Sequence, residues 1–355
     1  MKVVTIVGTR PNFIKEISLS AELKRQKIEE VLIHTGQHYD DDMVTIFFKD
    51  LKIPKPNYNL NLKNKTGITR VTKMIESINR ILNNENPDIC IVMGDVFSTL
   101  AGSIAASYLE LPIVHIEAGV RGHYPECSNE KQNRSKILRN PEEKNRIVSD
   151  SLSNLLLTVS ESGRNNLISE GYPQDIVFNT GDLMYDTYKK FVDTDLPILT
   201  NEKDFLLVTI HRAENTDNKI KLSAIIESMV ESKKCIYFPI HPRTKAKLEE
   251  YKLLHLINNE KNINTLGPLG YFDFLSLLKN CSKVLTDSGG VRREAYFFGK
   301  PVINCSPIVW FPEIIETGWK IHVGPNKESI LKAVHSFNPA GVRPNIFGDG
   351  KSAIK

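Results

Sequence analysis

Residues that could bind or transform a ligand follow seven apolar runs of the sequence, at the points where predicted strands end. They are Gly8–Pro11 with Lys15, Thr35–His38, Asp95, Glu117, His211–Arg212, His241–Arg243 and Asp287–Gly290. A lone Asp after a strand is more often a helix cap than a catalyst, but seven such positions together are harder to dismiss. Ligands of open α/β sheets bind beyond the carboxyl ends of the strands. The pattern therefore predicts a ligand site in a cleft between two domains.

One stretch has the composition of a phosphate-binding turn. Ser288, Gly289 and Gly290 lie directly before a predicted helix that begins near Val291. Small residues allow a diphosphate to approach the backbone N–H groups at a helix N-terminus. One turn further, Glu294 could reach a pair of ribose hydroxyls. The sequence therefore predicts that a nucleotide diphosphate binds here.

The first half of the chain supplies charged candidates. Arg10 and Lys15 follow the first strand, but their stretch is neither a Walker A loop nor GxGxxG, so as a nucleotide motif it is weak. The lack of GxGxxG also disfavours a dehydrogenase with bound NAD. Three carboxylates, Asp95, Glu117 and Glu143, fall in or near the same sheet edge. Because neighbouring carboxylates push one another's pKa values apart, such a group can supply an acid and a base near neutral pH.

Short β-branched runs alternate with helix-length amphipathic stretches along the whole chain. Eleven strands are predicted, at 3–8, 30–36, 88–94, 112–117, 155–160, 176–181, 204–211, 235–241, 263–267, 283–287 and 302–305, with helices between them, for example at 12–25, 67–83, 219–232 and 272–279. Most strands are solid apolar runs, as expected when helices cover both faces of a parallel sheet. The alternation predicts an α/β fold of two Rossmann-like doubly wound domains that face each other across a cleft.

The predicted boundary lies near residues 170–185, where turn residues are frequent. The first domain, 1–175, then carries the carboxylates, and the second, 176–340, carries the phosphate-binding turn. Residues 341–355 are expected to return towards the first domain. The segment Arg121–Arg146 breaks the alternation, because it is polar, charged and weakly periodic. It is predicted to be a long loop or an irregular excursion, and loops of this length are usually functional or disordered.

Composition excludes several classes of protein. The chain has 355 residues, with 46 basic and 42 acidic side chains and a net charge of +4, which is too balanced for a nucleic-acid binder. Its longest apolar runs have the length of strands, far below the ~20 residues that span a bilayer. The N-terminus lacks the features of a secretory signal. The five cysteines, odd in number and without CxxC, are interpreted as reduced thiols, and their spacing does not suggest a zinc site.

Short motifs that carry these residues are spread over nearly the whole chain. They are GTRPNFIK (8–15), HTGQHYD (34–40), GDVFSTLAG (94–102), HIEAGVR (115–121), PEEKNR (141–146), HRAEN (211–215), HPRT (241–244), TDSGG (286–290), REA (293–295) and FGDGKS (347–352). In this order they resemble the non-hydrolysing UDP-N-acetylglucosamine 2-epimerase family. The chain looks most similar to the epimerases of UDP-2,3-diacetamido-2,3-dideoxyglucuronate and to the archaeal UDP-GlcNAc epimerases. The resemblance implies the GT-B architecture and a homodimer.

The resemblance also implies a reaction, the inversion of C2 in a UDP-linked 2-acetamido sugar by elimination and re-addition of UDP. The family's catalytic residues match Asp95, Glu117, Glu143 and His211. Its UDP contacts match Arg10, Lys15, His241, Arg243, Ser288, Gly289, Gly290 and Glu294. Neither a metal nor a redox cofactor is required. The expected ligands are a UDP-activated amino sugar and UDP, with no nucleic-acid or membrane partner.

Four departures from the family pattern stand out. About a dozen extra residues form an insertion at about 122–140, between two catalytic matches. The run Ser306–Trp310 replaces an Arg-Asp-x-Thr-Glu pattern, and Ser151 replaces a common His. These three departures concern the sugar more than UDP. The chain also ends at Lys355, where the family continues into a last helix. In addition, Gln37 and His38 match a region that forms an activator site in some bacterial members.

The sequence favours a non-hydrolysing 2-epimerase of a cytoplasmic pathway to surface polysaccharide, and it leaves alternatives open. A hydrolysing relative would release free sugar and UDP. A GT-B glycosyltransferase would need an acceptor, and a nucleotide-sugar sensor would bind without turnover. A uronate substrate should meet an extra cation, for which Arg292, Arg293 and the basic residues of the insertion, Lys131, Arg134, Lys136 and Arg139, are available. As helix residues, Arg292 and Arg293 are expected to be solvated.

Overall fold

The apolar runs form the strands of two parallel sheets in a computed structural model, which describes residues 1–36, 51, 53–62, 67–127 and 129–355. The first sheet contains β1 (Lys2–Val7), β2 (Glu29–His34), β3 (Tyr58–Asn59), β4 (Ile89–Met93), β5 (Ile113–Ile116), β6 (Leu155–Thr158) and β7 (Val177–Asn179). The second contains β8 (Phe205–Thr209), β9 (Cys235–Pro239), β10 (Ile263–Leu266), β11 (Lys283–Thr286), β12 (Val302–Asn304) and β13 (Lys320–His322). The predicted strands are all present. The sequence patterns missed β3 and β13, which are too short to show as apolar runs.

Both sheets have the doubly wound strand order. The orders are β3-β2-β1-β4-β5-β6-β7 and β10-β9-β8-β11-β12-β13, so the predicted Rossmann-like α/β class is confirmed. In this topology the chain winds outwards in opposite directions from the central pair of strands, β1 with β4 and β8 with β11. Ligands of such sheets bind beyond the carboxyl ends of the strands at this switch point. Arg10 and Asp95 follow the first pair, and His211 and Asp287 follow the second.

Helices connect the strands. The described helices are α1 (Arg10–Arg25), α2 (Gly67–Glu85), α3 (Phe97–Ser107), α4 (Glu130–Ile137), α5 (Pro141–Leu152), α6 (Glu161–Ser169), α7 (Leu183–Phe191), α8 (Ala213–Thr216), α9 (Lys219–Ser232), α10 (Pro242–Glu250), α11 (Leu254–Asn258), α12 (Tyr271–Asn280), α13 (Gly289–Phe297), α14 (Pro312–Glu316) and α15 (Lys327–Ser336). None of them is long and apolar enough to cross a membrane, within the part of the chain that is described.

The chain divides into two compact units. Unit 1 comprises Met1–Gly122, Glu126–Asp193 and Asn345–Lys355, and unit 2 comprises His123–Pro125 and Thr194–Pro344. Unit 1 extends past the expected boundary at 170–185, because β7 pairs with β6 and α7 packs against α1. In that helix contact, the Thr187 hydroxyl donates to the Ile14 carbonyl over 2.7 Å.

The C-terminal segment of the chain packs within unit 1. The Asp182 N–H donates to the Phe347 carbonyl over 3.0 Å, and Phe347 is buried. A Cβ on Gly181, which has a φ of +91°, would lie 2.9 Å from that carbonyl oxygen. Glycine therefore allows the close approach of the two backbones.

The segment predicted to be a loop, Arg121–Arg146, contains helices instead. Asn129 caps α4 by accepting the Gln132 N–H over 2.9 Å, and Asn140 caps α5 in the same way. The prediction failed because the buried side chains of α5 are polar, namely Glu143, Asn145, Arg146, Ser149 and Asp150. A helix that buries charged residues shows no apolar periodicity.

All five cysteines are free thiols in this structure. Cys90, Cys281 and Cys305 are buried, whereas Cys127 and Cys235 are partly exposed. Burial raises the pKa of Cys90 and of Cys281 to about 12. The buried thiols therefore behave as small apolar core residues.

Candidate active site

An amide side chain organises the end of β1. The Asn12 Oδ1 accepts the N–H groups of Gly8 and Thr9, each over 3.2 Å, and its Nδ2 donates to the Met93 carbonyl at the end of β4 over 3.2 Å. A Cβ on Gly8 would lie 1.9 Å from the Ser98 Oγ, so no larger residue fits there. The two central strands of unit 1 are thus joined at the edge where ligands of this fold bind. Arg10, the first residue of α1, is partly buried at the same edge.

Lys15 and Glu117 form a buried ion pair at this edge. The Lys15 ammonium contacts the Glu117 Oε2, and the two side chains are only 2% and 7% exposed. Glu117 has a φ of +69°, in the left-handed region that residues other than glycine rarely adopt. Strained backbone of this kind persists where the surrounding structure imposes it, often at functional sites. The structure therefore brings together two predicted site residues that are far apart in the sequence.

The other two predicted carboxylates share one guanidinium. Arg146 Nη2 contacts the Asp95 Oδ2, and Arg146 Nη1 donates to the Glu143 Oε2 over 3.0 Å. Arg146 and Glu143 are almost fully buried, and the Asp95 side chain is 21% exposed. Burial raises the pKa of Glu143 and outweighs the opposing charge of Arg146. Two carboxylates in unlike environments on one cation can act as an acid and a base.

A buried network lies next to these carboxylates. His115 contacts the Asp150 Oδ1 through Nδ1 and the Gly94 carbonyl through Nε2, each over 2.7 Å. Arg121 contacts the Asp150 Oδ2 over 2.8 Å. Burial opposes ionisation of Asp150, but the contacts with His115 and Arg121 outweigh it, so its pKa lies below the usual value. The network fixes Gly94, the residue before Asp95.

The insertion contacts the carboxylate cluster through Gly122. The Gly122 N–H donates to the Glu143 Oε2 over 3.3 Å, and Asn133 of α4 donates to the Gly122 carbonyl over 3.2 Å. The next residue, His123, forms an antiparallel bridge with Val309 in unit 2. Two departures from the family pattern, the insertion and the run Ser306–Trp310, therefore meet through backbone hydrogen bonds of 2.8 and 3.0 Å.

In unit 2, Asp287 holds the turn that follows β8. Its carboxylate accepts the N–H groups of His211 and Arg212, each over 3.1 Å, and the Asn215 Nδ2 over 3.0 Å. Burial raises the pKa of Asp287, and these donors oppose the rise. The His211 and His241 rings lie 5.5 Å apart. The two predicted histidines are therefore neighbours at the switch point of the second sheet.

The predicted phosphate-binding turn begins α13. Ser288 is the N-cap and accepts the Val291 N–H over 3.4 Å, which leaves Gly289 and Gly290 in the first turn. A Cβ on Gly289 would lie 3.5 Å from the Arg212 Nη2, so a guanidinium lies beside the helix start. The positive end of the helix dipole and the Arg212 guanidinium both favour an anion at this place. Glu294, one turn further, is buried.

One predicted site residue, Arg243, uses its guanidinium in other contacts, and two relevant residues were missed. Arg243 pairs with Asp217, and its Nε donates to the Thr216 Oγ1 over 3.0 Å. Arg146 and His115 were not among the predicted site residues, although they lie in the matched motifs PEEKNR and HIEAGVR. Arg146 pairs with Glu143 three residues away, but its other partner, Asp95, and both partners of His115 are distant in sequence. Gln37 and His38 lie outside the described residues.

The expectation that the two arginines of α13 are solvated is wrong. Arg292 is completely buried and Arg293 is 3% exposed. The Arg293 guanidinium lies over the Phe311 ring at 4.7 Å from its centroid. A helix position alone did not reveal that these charged residues face the core of unit 2.

Comparison with known proteins agrees with this geometry. The sequence model of a family described as UDP-N-acetylglucosamine 2-epimerase matches residues 21–355. A UDP-N-acetylglucosamine 2-epimerase homolog of Methanococcus maripaludis is 43% identical, with 100% of this chain and 98% of the relative covered. The UDP-2,3-diacetamido-2,3-dideoxy-D-glucuronate 2-epimerase of Pseudomonas aeruginosa is 37% identical over 100% of this chain and 98% of its own length. The crystal structure of the Methanocaldococcus jannaschii UDP-GlcNAc 2-epimerase in complex with UDP-GlcNAc and UDP is 37% identical, with a TM-score of 0.89 over 99% of this chain and 97% of that chain.

The fold and the two sets of residues define a Rossmann-like enzyme of the GT-B-like class, with carboxylates at one switch point and the start of α13 at the other. The chain belongs to the UDP-N-acetylglucosamine 2-epimerase family. It is an epimerase-type isomerase, and the resemblance read from its motifs is confirmed.

Proposed function

We propose that this enzyme inverts C2 of a UDP-linked 2-acetamido sugar without net hydrolysis. The observation that carries the proposal is the pair of carboxylates, Asp95 and Glu143, on the single guanidinium of Arg146. Inversion at C2 needs one group that removes a proton and one that returns it on the opposite face. A binding protein or a simple glycosyltransferase has no need for such a pair.

Unit 2 is proposed to bind UDP. The start of α13, with Ser288, Gly289 and Gly290, offers backbone N–H groups to the diphosphate, and Arg212 adds a cation beside them. Glu294 is proposed to accept the ribose hydroxyls, and His211 to contact the diphosphate. The M. jannaschii relative, whose structure contains UDP-GlcNAc and UDP, supports UDP as the ligand.

The reaction begins with an elimination. Because C2 has no adjacent carbonyl, its hydrogen is very weakly acidic, and the C1–O bond to UDP must break as the proton leaves. A base takes the C2 proton, UDP departs with the bonding electron pair, and a C1=C2 double bond forms. In the return step UDP oxygen attacks C1, and an acid delivers a proton to the other face of C2. Stabilisation of the departing diphosphate by fixed donors lowers both barriers.

Environment suggests how the carboxylates divide the work. Glu143 is buried with a raised pKa, which suits a group that carries a proton at neutral pH. Asp95 contacts Arg146 and is more exposed, which suits the base. Lys15 of α1 and Glu117, which follows β5, pair at the same sheet edge and are proposed to bind and orient the reacting sugar diphosphate.

Two features favour a second candidate substrate, the 2,3-diacetamido-glucuronate analogue. The Ser306–Trp310 run replaces the usual family pattern, and the insertion pairs with it through His123 and Val309. The P. aeruginosa relative, named for this uronate, is 37% identical, against 38% for the UDP-N-acetylglucosamine 2-epimerase of M. jannaschii. A homodimer, a cytoplasmic location and a role in polysaccharide synthesis are further proposals that follow from the family.

Proton NMR in D2O tests the proposal with UDP-GlcNAc and, separately, with the diacetamido-uronate. Deuterium at C2 together with a new UDP-sugar anomeric signal is the expected result, and the faster substrate identifies the sugar. Asp95→Asn and Glu143→Gln should each abolish the exchange while UDP still binds. Free sugar plus UDP would place the enzyme in the hydrolysing branch. Absence of exchange with both sugars would refute the proposal.

A further inference from the structure

Arg292 holds the backbone of the phosphate-binding turn from beneath. Its Nε donates to the Ser288 carbonyl over 3.0 Å and its Nη2 to the Asp287 carbonyl over 2.9 Å. The side chain is completely buried, so these bonds are made out of contact with water. Two parallel donors from one planar guanidinium fix both orientation and distance.

Asp287 and Ser288 organise both proposed anion-binding elements of unit 2, the start of α13 and the turn after β8. The carboxylate of Asp287 holds the His211 and Arg212 N–H groups, while the carbonyl of Asp287 is held by Arg292. Ser288 caps α13, and its carbonyl is held by Arg292 as well. A single buried guanidinium thus sets the position of the helix start and, through Asp287, of the turn that carries His211.

The guanidinium also lies among like charges. Its third nitrogen, Nη1, is buried without a hydrogen-bond partner among the described residues. The like charges of Arg212 and Arg293 act on Arg292, and Arg292 acts in the same way on Lys320. Burial lowers the pKa of Arg292 to about 9, which still leaves it cationic at neutral pH. Asp287 is an opposite charge that acts on Arg292, and an anion bound at the turn above would add to this compensation of a buried cation.

We propose that Arg292 is a positioning residue that prepares the turn Asp287–Gly290 for a diphosphate and strengthens the field that binds it. This inference rests on the proposed function, because it assumes that UDP binds at α13. Arg292 itself does not touch the ligand. Its effect should therefore be confined to the phosphate part of the nucleotide.

The experiment compares three ligands by isothermal titration calorimetry: UDP, inorganic pyrophosphate and uridine. The variants are Arg292→Met, Arg292→Gln and Arg292→Lys in the full chain. Lys320→Met is the matched control, because Lys320 is another buried cation of unit 2 whose ammonium binds the Trp310 and Phe311 carbonyls rather than the turn. Thermal unfolding of each variant reports its structural cost.

Arg292→Met is expected to weaken UDP and pyrophosphate binding by about tenfold or more, the loss typical of a charged hydrogen-bonding group, and to leave uridine binding unchanged. Arg292→Lys should retain more pyrophosphate affinity than Arg292→Gln, which also decides the matter if the Met variant does not fold. Lys320→Met should lower stability without changing the ratio of pyrophosphate to uridine affinity. Equal losses for all three ligands, or none, would overturn the inference. A wild-type protein that binds no UDP would overturn the proposed function instead, before any variant is made.

Discussion

Removal of the guanidinium shared by Asp95 and Glu143 should move the pH dependence of the reaction. Arg146→Met keeps the apolar part of the side chain and deletes a cation that is 3% exposed and contacts both carboxylates. Burial already raises the pKa of Glu143, and the charge of Arg146 opposes that rise. Loss of the opposing charge therefore raises the pKa of Glu143 further.

The expected size follows from the geometry. A cation in direct contact lowers a carboxyl pKa by about 1–3 pH units, which corresponds to about 1.4–4 kcal/mol of preference for the charged form. Asp95 and Glu143 lose the same cation, so both limbs of a bell-shaped profile of kcat/KM should move to higher pH by about 1–3 pH units. Arg146→Lys retains a charge but cannot contact both carboxylates in the same way, so a smaller movement is expected.

The assay is the rate of deuterium incorporation at C2, measured for the wild type, Arg146→Met and Arg146→Lys between acidic and basic pH. Thermal unfolding at each pH confirms that the proteins stay folded over the range. A profile of Arg146→Met that is lowered in height but unmoved along the pH axis would refute the reasoning. It would mean that Arg146 supports α5 without tuning the carboxylates.

Three further results are expected. Lys15→Met should reduce the free energy of unfolding by about 3–5 kcal/mol, because one partner of a buried ion pair is lost. A double-mutant cycle with Glu117→Gln, measured by urea unfolding, should give a coupling energy well above the ~1 kcal/mol of exposed pairs. A smaller coupling energy would contradict the burial argument. The pKa of Asp150 is lowered in the folded state, so its stabilisation of the fold is present above the usual Asp range and is lost as pH falls through the folded pKa. Asp150→Asn should remove this dependence of the free energy of unfolding in urea on acidic pH. A variant whose stability depends on pH as the wild type's does would contradict this prediction. Glu16 is fully buried beside Glu30 and its pKa is raised well above the usual value, so the folded state loses stability as pH rises from the usual Glu range to the folded pKa. Glu16→Gln should abolish that loss, which amounts to about 1.4 kcal/mol for each pH unit that separates the folded and unfolded pKa values. An identical pH dependence of stability in wild type and variant would contradict this prediction.

The sequence predicted the strands well because buried parallel strands are continuous apolar runs. It missed β13 (Lys320–His322), whose three residues include two that are charged or titratable. It also missed α4 and α5, since the interior face of α5 packs ions such as Glu143 and Arg146 against one another rather than apolar side chains.

The site was predictable in its residue types but not in its pairings. The motifs grouped Lys15, Glu117, Asp95 and Glu143 at one sheet edge, and their role as a catalytic set stays a prediction. That Lys15 pairs with Glu117, and that Asp95 and Glu143 share Arg146, depends on the register of β1, β4 and β5, which composition does not encode. The orientation of Arg292 likewise follows from the packing of α13 on its sheet. Because the sequence does not show this packing, Arg292 was wrongly expected to be a solvated helix residue.

The distribution of thiols makes the insertion a site for selective chemical labelling. Maleimides and similar reagents attack the thiolate, so burial and a raised pKa protect a cysteine from them. Cys90, Cys281 and Cys305 are buried with raised pKa values, and burial also raises the pKa of the partly exposed Cys235. Cys127 lies in the insertion, a few residues from the bridge of His123 with Val309. A fluorophore could therefore be attached to the unmodified wild-type chain at Cys127, beside the segment where this enzyme departs from its family.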